Sequence, residues 1–239
     1  MLILAVDTSG SNCSCALLQD DILIGETNVN YDKQHSVVLM PMMAEMFQRV
    51  NLKPADLTHL AVDVGPGSFT GLRIGISVLK AMSQALQIPL YSFDSFAVYA
   101  EAVKYFQGAI LTVSDALRGT FYTRLFQSDG RELTPLSGGE VRDMEEIKDL
   151  LAGPAKAMKL LITGDGLVKQ RTLFAAAFPE AALTDNRQNL AYASALAKLA
   201  QVEILGEVAP EGGTTPLYMR KPQAVREYEA KHGKFNDNI

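Results

Sequence analysis

Three acidic or small-residue loops in this chain have the composition to grip a phosphate. Asp7-Thr8-Ser9-Gly10-Ser11 follows a buried apolar run. Small residues there let a backbone approach a phosphate, and hydroxyls and amides can donate to it. The same residues also build a plain β-turn, which is the commoner use of the motif taken alone. Asp115-Ala116-Leu117-Arg118-Gly119 holds the matching place later in the chain, but with one glycine, a leucine and a bulky arginine. Arg118 could bind phosphate or fill the cleft itself. Thr163-Gly164-Asp165-Gly166 could admit an adenine or ribose, or simply turn a strand into a helix. Asp7, Thr8, Ser9, Asp115, Arg118 and Gly164 are therefore the candidate, vestigial nucleotide-binding set.

The run Gly65-Pro66-Gly67-Ser68-Phe69-Thr70-Gly71-Leu72-Arg73-Ile74-Gly75 is the most distinctive stretch. It lacks the Gly-Lys-Ser/Thr of a phosphate-binding P-loop, which rejects a P-loop NTPase. Ser68 or Thr70 is placed to cap the helix that follows. The three histidines, His35, His59 and His232, are scattered, and position 39, a helical turn beyond His35, is Leu. No Ser-His-Asp arrangement, Cys/His cluster or other metal site is assignable. No catalytic or metal residues are assigned.

These loops need strands to hold them, and the chain reads as one pattern written twice. Strands fit 2–7, 13–19, 22–29 and 59–64, and helices fit 35–50 and 70–86. Strands then fit 109–114, 120–127, 131–136 and 159–163, with a helix at 143–152 and helical segments to about 204. Three hairpin-joined strands, a crossover helix and a further strand predict a mixed sheet flanked by helices, in two lobes with a cleft between. The expected fold is α/β. The division is 1–106 for the first lobe, 107–225 for the second and 226–239 for a polar tail. Residues 94–106 read as a linker, and the second lobe's last helix is allowed to pack back on the first.

Two first-lobe helices look too apolar for one-sided burial. Helix 35–50 carries four of the nine methionines, with Val37 and Val38 widening its apolar surface and Pro41 expected to kink it. In helix 70–86, Gly71 and Gly75 lie four apart, with Val78 and Met82 continuing that face. A glycine pair admits a close neighbour, either a partner's helix or helix 35–50. The candidate partner interface is Val38, Met42, Met46, Gly71, Gly75, Val78 and Met82. A large residue at Gly75 is then expected to abolish pairing and leave the monomer folded.

The chain has 239 residues with net charge −5, from 22 basic and 27 acidic side chains, which argues against a large electrostatic footprint on nucleic acid. Cys13 and Cys15 are two apart, too close for an ordinary structural bridge, a reducing-compartment pattern. The opening apolar run is too short for a signal peptide or membrane span, so the chain reads as cytoplasmic with no membrane association.

The residues at 1–9, His35-Ser36, the Gly-Pro-Gly-Ser-Phe-Thr-Gly-Leu-Arg-Ile-Gly block at 65–75 and Asp115-Ala-Leu-Arg-Gly together resemble the bacterial TsaB (YeaZ) family. The match is close at 1–9 and 65–75 and looser beyond about 130. The resemblance implies a duplicated actin-like (ASKHA, ribonuclease H-like) fold and a non-catalytic subunit of the machinery that installs threonylcarbamoyl on the adenosine beside the tRNA anticodon. It also implies docking of the first-lobe helices on the homologous catalytic subunit TsaD, with TsaE joining and a homodimer as a further option. TsaD carries a helical His-x-x-x-His metal pair, and Leu39 stands where its second His would be. Contact with tRNA is then indirect, through the complex. No cofactor of its own is expected, and ATP at the complex interface stays an open alternative. The rival readings are an actin-like ATPase or small-molecule kinase using Asp7, Thr8, Ser9, Asp115 and Gly164, and a metallopeptidase for which no metal site can be built.

Overall fold

The structure is a computed structural model that describes residues 1–31, 34–210 and 214–219. Its first half contains β1 (Leu2–Asp7), β2 (Cys13–Gln19), β3 (Ile22–Val29), α1 (His35–Arg49), β4 (His59–Asp63), α2 (Phe69–Leu86), β5 (Leu90–Phe93) and α3 (Ser95–Glu101). The second half contains β6 (Gly108–Asp115), β7 (Phe121–Ser128), β8 (Leu133–Pro135), β9 (Glu140–Arg142), α4 (Met144–Ala152), β10 (Leu160–Thr163), α5 (Gly166–Ala177), β11 (Ala182–Leu183) and α6 (Ala193–Leu205).

The strand order is β3-β2-β1-β4-β5 in one sheet and β8-β7-β6-β10-β11 in the other. In each, the first strand pairs antiparallel with its hairpin partner and parallel with the strand after the crossover helix. The repeat is thus one of topology as well as of sequence pattern. The third strand of the second sheet differs: the expected 131–136 strand is only Leu133–Pro135, and Glu140–Arg142 also pairs with β7.

β1 is a continuous apolar run because both its faces are covered. Leu2, Leu4 and Val6 meet Leu39, Met43, Leu72, Ile76 and Leu79 of α1 and α2. Ile3 and Ala5 face the other way. There Ala5, Ala16 and Ala61 of the sheet meet Ala193, Ala197 and Ala200 of α6. Small residues on both sides let this helix lie close to the strands. Its N-terminus is fixed by the first lobe: the Ala193 amide donates to Ser14 Oγ at 2.8 Å and the Ser194 amide to Glu26 Oε1 at 2.9 Å. The last helix of the second half therefore completes the first sheet.

The stretch read as a linker at 94–106 contains a buried helix instead. Asp94 caps α3 by accepting from the Ala97 amide at 2.7 Å. Phe96, Ala100 and Val103 pack on Ile110, Phe126 and Leu161 of the second sheet, while Val98 and Tyr99 face the first. Pro41 lies inside α1, which runs as one helix through it. Cys13 and Cys15 are free, and both lie in the core on one face of β2. Burial pushes their thiols up to about 11 and about 12, so they remain protonated and inert. The polar tail at 226–239 lies outside the described residues.

If the alanine-lined seam under α6 joins the two halves, a larger side chain there forces them apart. Ala61→Leu is expected to cost roughly 2–3 kcal/mol, read as a lowered denaturant midpoint with an unchanged slope.

Candidate functional site

β1 and β4 run parallel in register, Val6 beside Val62. Asp7 and Asp63 therefore leave the sheet side by side at its carboxyl end, the usual place for a ligand in an open α/β sheet. Both are buried, at 0% and 1% exposure. Asp7 Oδ1 accepts from the Ser9 amide at 2.9 Å and the Ser9 hydroxyl at 2.8 Å. Asp63 Oδ1 accepts from the Gly65 amide at 2.6 Å and the Ser95 hydroxyl at 2.8 Å. Burial, and then the Asp7 charge beside it, hold the Asp63 carboxyl well above the usual carboxylate range.

The remaining donors of the loop are also used internally. Thr8 Oγ1 donates to the Gly71 carbonyl at 2.7 Å, and the Ser9 carbonyl accepts from the Ser68 amide at 2.6 Å. His35 Nε2 donates to the Gly10 carbonyl at 2.9 Å. Ser68 caps α2, accepting from the Gly71 amide at 3.2 Å. The hydroxyls and amides expected to grip a phosphate thus hold the loop to the Gly-Pro-Gly turn and to α2.

The second lobe brings Asp165, which precedes α5, up to this loop. Its carboxyl Oδ2 and the Tyr99 hydroxyl lie 3.9 and 3.8 Å from where a Cβ of Gly10 would stand. Burial pushes Asp165 up to about 6, with Asp115 adding to the shift and the Ser114 hydroxyl opposing it. Burial first, then the carboxyls of Asp165, Asp7 and Asp63, raises the Tyr99 phenol, which stays protonated. Asp115 accepts from the Leu117 amide at 2.8 Å and faces Lys169 at 3.6 Å. Gly164, at φ +114°, passes so close to the Val113 carbonyl that a side chain would overlap it. Arg118 lies on an exposed turn in which Leu117, Arg118 and Gly119 all have positive φ.

The candidate nucleotide set is therefore gathered around one largely buried centre between the two sheets, apart from Arg118 on its exposed turn. Asp63, Tyr99, Ser95 and Asp165 belong to the same centre. Asp63 had a visible signal, an acid ending a strand as Asp7 does. Tyr99 had none, because its helix was read as linker. Among the described residues, no group of three or more His, Cys, Asp or Glu side chains is placed to hold a metal ion.

The candidate interface separates into two groups. Met42 and Met46 are in the core of the first lobe, turned toward the sheet. Gly71 and Gly75 are also buried, and what they admit is the loop at Thr8 rather than a partner's helix. A Cβ on Gly71 would overlap the Thr8 carbonyl oxygen, and one on Gly75 would sit 2.5 Å from Thr8 Oγ1. These four residues cannot form an exposed docking face. Val38, Val78 and Met82 are half-buried at its margin. The side chains that do project are Val37 at 63% exposure, Met40 at 54% and Phe69.

A family model described as "TsaD: tRNA N6-adenosine threonylcarbamoyltransferase" matches residues 28–222. The chain is 30% identical over 229 residues to the tRNA threonylcarbamoyladenosine biosynthesis protein TsaB of Haemophilus influenzae, covering 92% of this chain and 94% of that protein. The chain belongs to the TsaB (YeaZ) family. It is also 39% identical over 127 residues to TsaB of Bacillus subtilis, a match spanning 53% of this chain and 56% of that protein. The crystal structure of YeaZ from Pseudomonas aeruginosa superposes with a TM-score of 0.76 at 25% identity, covering 91% of this chain and 99% of that one. The two sheets and their flanking helices form the duplicated actin-like fold of this TsaB family.

The glycine geometry makes Gly71→Ala a test of packing inside the lobe. It is expected to lower stability by about 2–4 kcal/mol in thermal or chemical unfolding, because the obstructing atom is backbone. At Gly75 the atom in the way is the Thr8 hydroxyl, which is bonded to the Gly71 carbonyl, so a large residue there is expected to break that bond and lower the stability of the lobe rather than act on pairing alone. Asp165 gives a pH test. Its folded-state pKa is raised, so its contribution is complete at low pH and is lost as pH rises from about 4 through about 6. Asp165→Asn is expected to gain about 1–3 kcal/mol over the parent at pH 7, and to lose that advantage near pH 4.

Proposed function

We propose that this chain is a non-catalytic scaffold. In this reading it pairs with a homologous catalytic subunit of the TsaD kind, and supports threonylcarbamoyl transfer to the adenosine adjacent to the tRNA anticodon. A TsaE homologue joins the assembly, tRNA is met through the complex, and the same surface allows a homodimer. The setting is cytoplasmic, with no cofactor held by this chain alone. Among the described residues, no helix is long and apolar enough to cross a membrane.

The observation that carries this reading is the outer edge of α1 and α2. Val37 and Met40 project from α1 beside a groove of about 520 Å³ lined by Ser36, Phe69, Thr70, Arg73, Ile74, Ser77 and Val78. The groove is apolar in its floor and bounded by small hydroxyls, as suits a helix from a partner. One end is built by the chain itself. Tyr218 stacks on Phe69 with centroids 4.9 Å apart, and its hydroxyl accepts from Arg73 Nε at 2.8 Å. Arg73 lies 3.9 Å over the Phe69 ring, so its guanidinium is held in place at the groove's rim.

The rival reading, an actin-like ATPase or small-molecule kinase, draws support from the gathering of Asp7, Thr8, Ser9, Asp115 and Gly164 around one centre. Against it stands the internal use of the Thr8 and Ser9 donors.

Replacing Val37 and Met40 together by Asp tests the scaffold. Both are exposed, so the fold is expected to survive. The affinity for the TsaD homologue is expected to fall at least about tenfold by calorimetry, with reconstituted tRNA modification falling alongside. Undiminished binding would remove the assigned face. In the same instrument, tight Mg·ATP binding with turnover by the isolated chain would establish the rival.

A further inference from the structure

We propose that Asp7 and Asp63 share a single proton, and that this acid pair pins together the loop at 8–10, the Gly65–Ser68 turn and the start of α3. The inference is independent of the partner assignment.

The strand register sets the pair. Val6 and Val62 are neighbours across parallel β1 and β4, and the next residue on each strand is the aspartate. Neither reaches water. Each spends one oxygen on its own surroundings: Asp7 Oδ1 on the Ser9 amide and hydroxyl, Asp63 Oδ1 on the Gly65 amide and the Ser95 hydroxyl. The other oxygen of each, Oδ2, is buried and has no donor. Two adjacent carboxylates closed off from water repel each other, and each leaves a lone pair unsatisfied. One proton removes both penalties, since one carboxyl becomes an O–H donor and the other its acceptor.

No neighbouring group supplies that donor. The Ser9 and Ser95 hydroxyls already donate to the Oδ1 atoms. The forces acting on Asp63 are its burial, Asp7, Gly65 and Ser95, and none is a cation. Around the pair stand Tyr99 from α3, Asp165 from the start of α5, Cys13 from β2 and, on the loop carbonyl of Gly10, His35 from α1. Tyr99 and Cys13 remain neutral, and Asp165 can only add negative charge. The proton is therefore retained by the pair.

The three segments it joins are those that place α2. Asp7 orders the loop whose Thr8 and Ser9 hold Gly71 and Ser68, and Asp63 orders the turn that precedes the α2 cap and ties it to α3. Loss of the proton puts two negative charges under this junction. The folded-state pKa of the pair's acid is raised, so its contribution is present at low pH and falls as pH rises through that folded value.

The test is an NMR titration of the wild-type chain with ¹³C-labelled aspartate, followed from about pH 4 to about pH 10. One protonated carboxyl equivalent is expected to persist through neutrality, localised to Asp7 and Asp63 and abolished in Asp63→Asn. Ordinary ionisation of both carboxyls by about pH 5 would overturn the proposal. Thermal unfolding gives a second readout. Above the range in which Asp165 titrates, the parent midpoint is expected to fall with rising pH, whereas that of Asp63→Asn, which carries its own N–H donor, stays level. A parallel fall in both would also overturn it. Should the Asn variant not fold, the wild-type titration decides alone, with both carboxyls assigned through the backbone.

Discussion

Backbone lies against backbone where the loop after β1 meets α2, and the first lobe is built around that approach. Gly67, Gly71 and Gly75 present no side chain to the loop, so the Thr8 and Ser9 carbonyls come within reach of the turn and the helix. Thr8 bonds to Gly71 and Ser9 accepts from Ser68 as a result. With α2 pressed down there, Leu72, Ile76 and Leu79 enter the core, while Ile74 and Val78 stay at the edge of the outer groove. One steric constraint thus fixes both the inward packing and the surface that α2 leaves exposed.

The same approach uses up the chemistry that the loop could otherwise offer. A phosphate site needs free amides and hydroxyls pointing into an open space. Here the Ser9 amide and hydroxyl go to Asp7, and the Thr8 hydroxyl goes to α2. These donors serve as cross-links between segments. The centre is in this way a joint between the loop, the turn and α2.

Much of this was legible in the sequence, for reasons that particular residues make clear. The apolar run Leu2–Val6 could only be a strand covered on both faces, and the repeat of strand, hairpin and crossover helix announced two similar sheets. Cys13 and Cys15 were two apart in a strand and point the same way. The α3 helix was missed because its seven residues divide their apolar faces between two sheets, leaving no single stripe to read. The burial of the α1 methionines was misread for a related reason. α1 is apolar nearly all round, and its pattern does not reveal which methionines face the sheet: Met42 and Met46 do, and Met40 does not. A glycine pair four apart signals a close approach but not the identity of what approaches. The Asp7–Asp63 adjacency depends on the register of strands separated by a whole helix, which local pattern does not carry.

The exchanged helices tie the two lobes into one body. α6 is capped by Ser14 and Glu26 of the first lobe, and α3 sends Phe96, Ala100 and Val103 into the second. Arg124 on β7 reaches Asp94 at the start of α3 at 2.5 Å, adding an ion pair across the same seam. To part the lobes, the alanine seam and this pair would both have to separate, exposing close-packed apolar surface to water. The contacts between the lobes and the spent donors of the loop after β1 thus do the same thing, tying separate segments of the chain into one body.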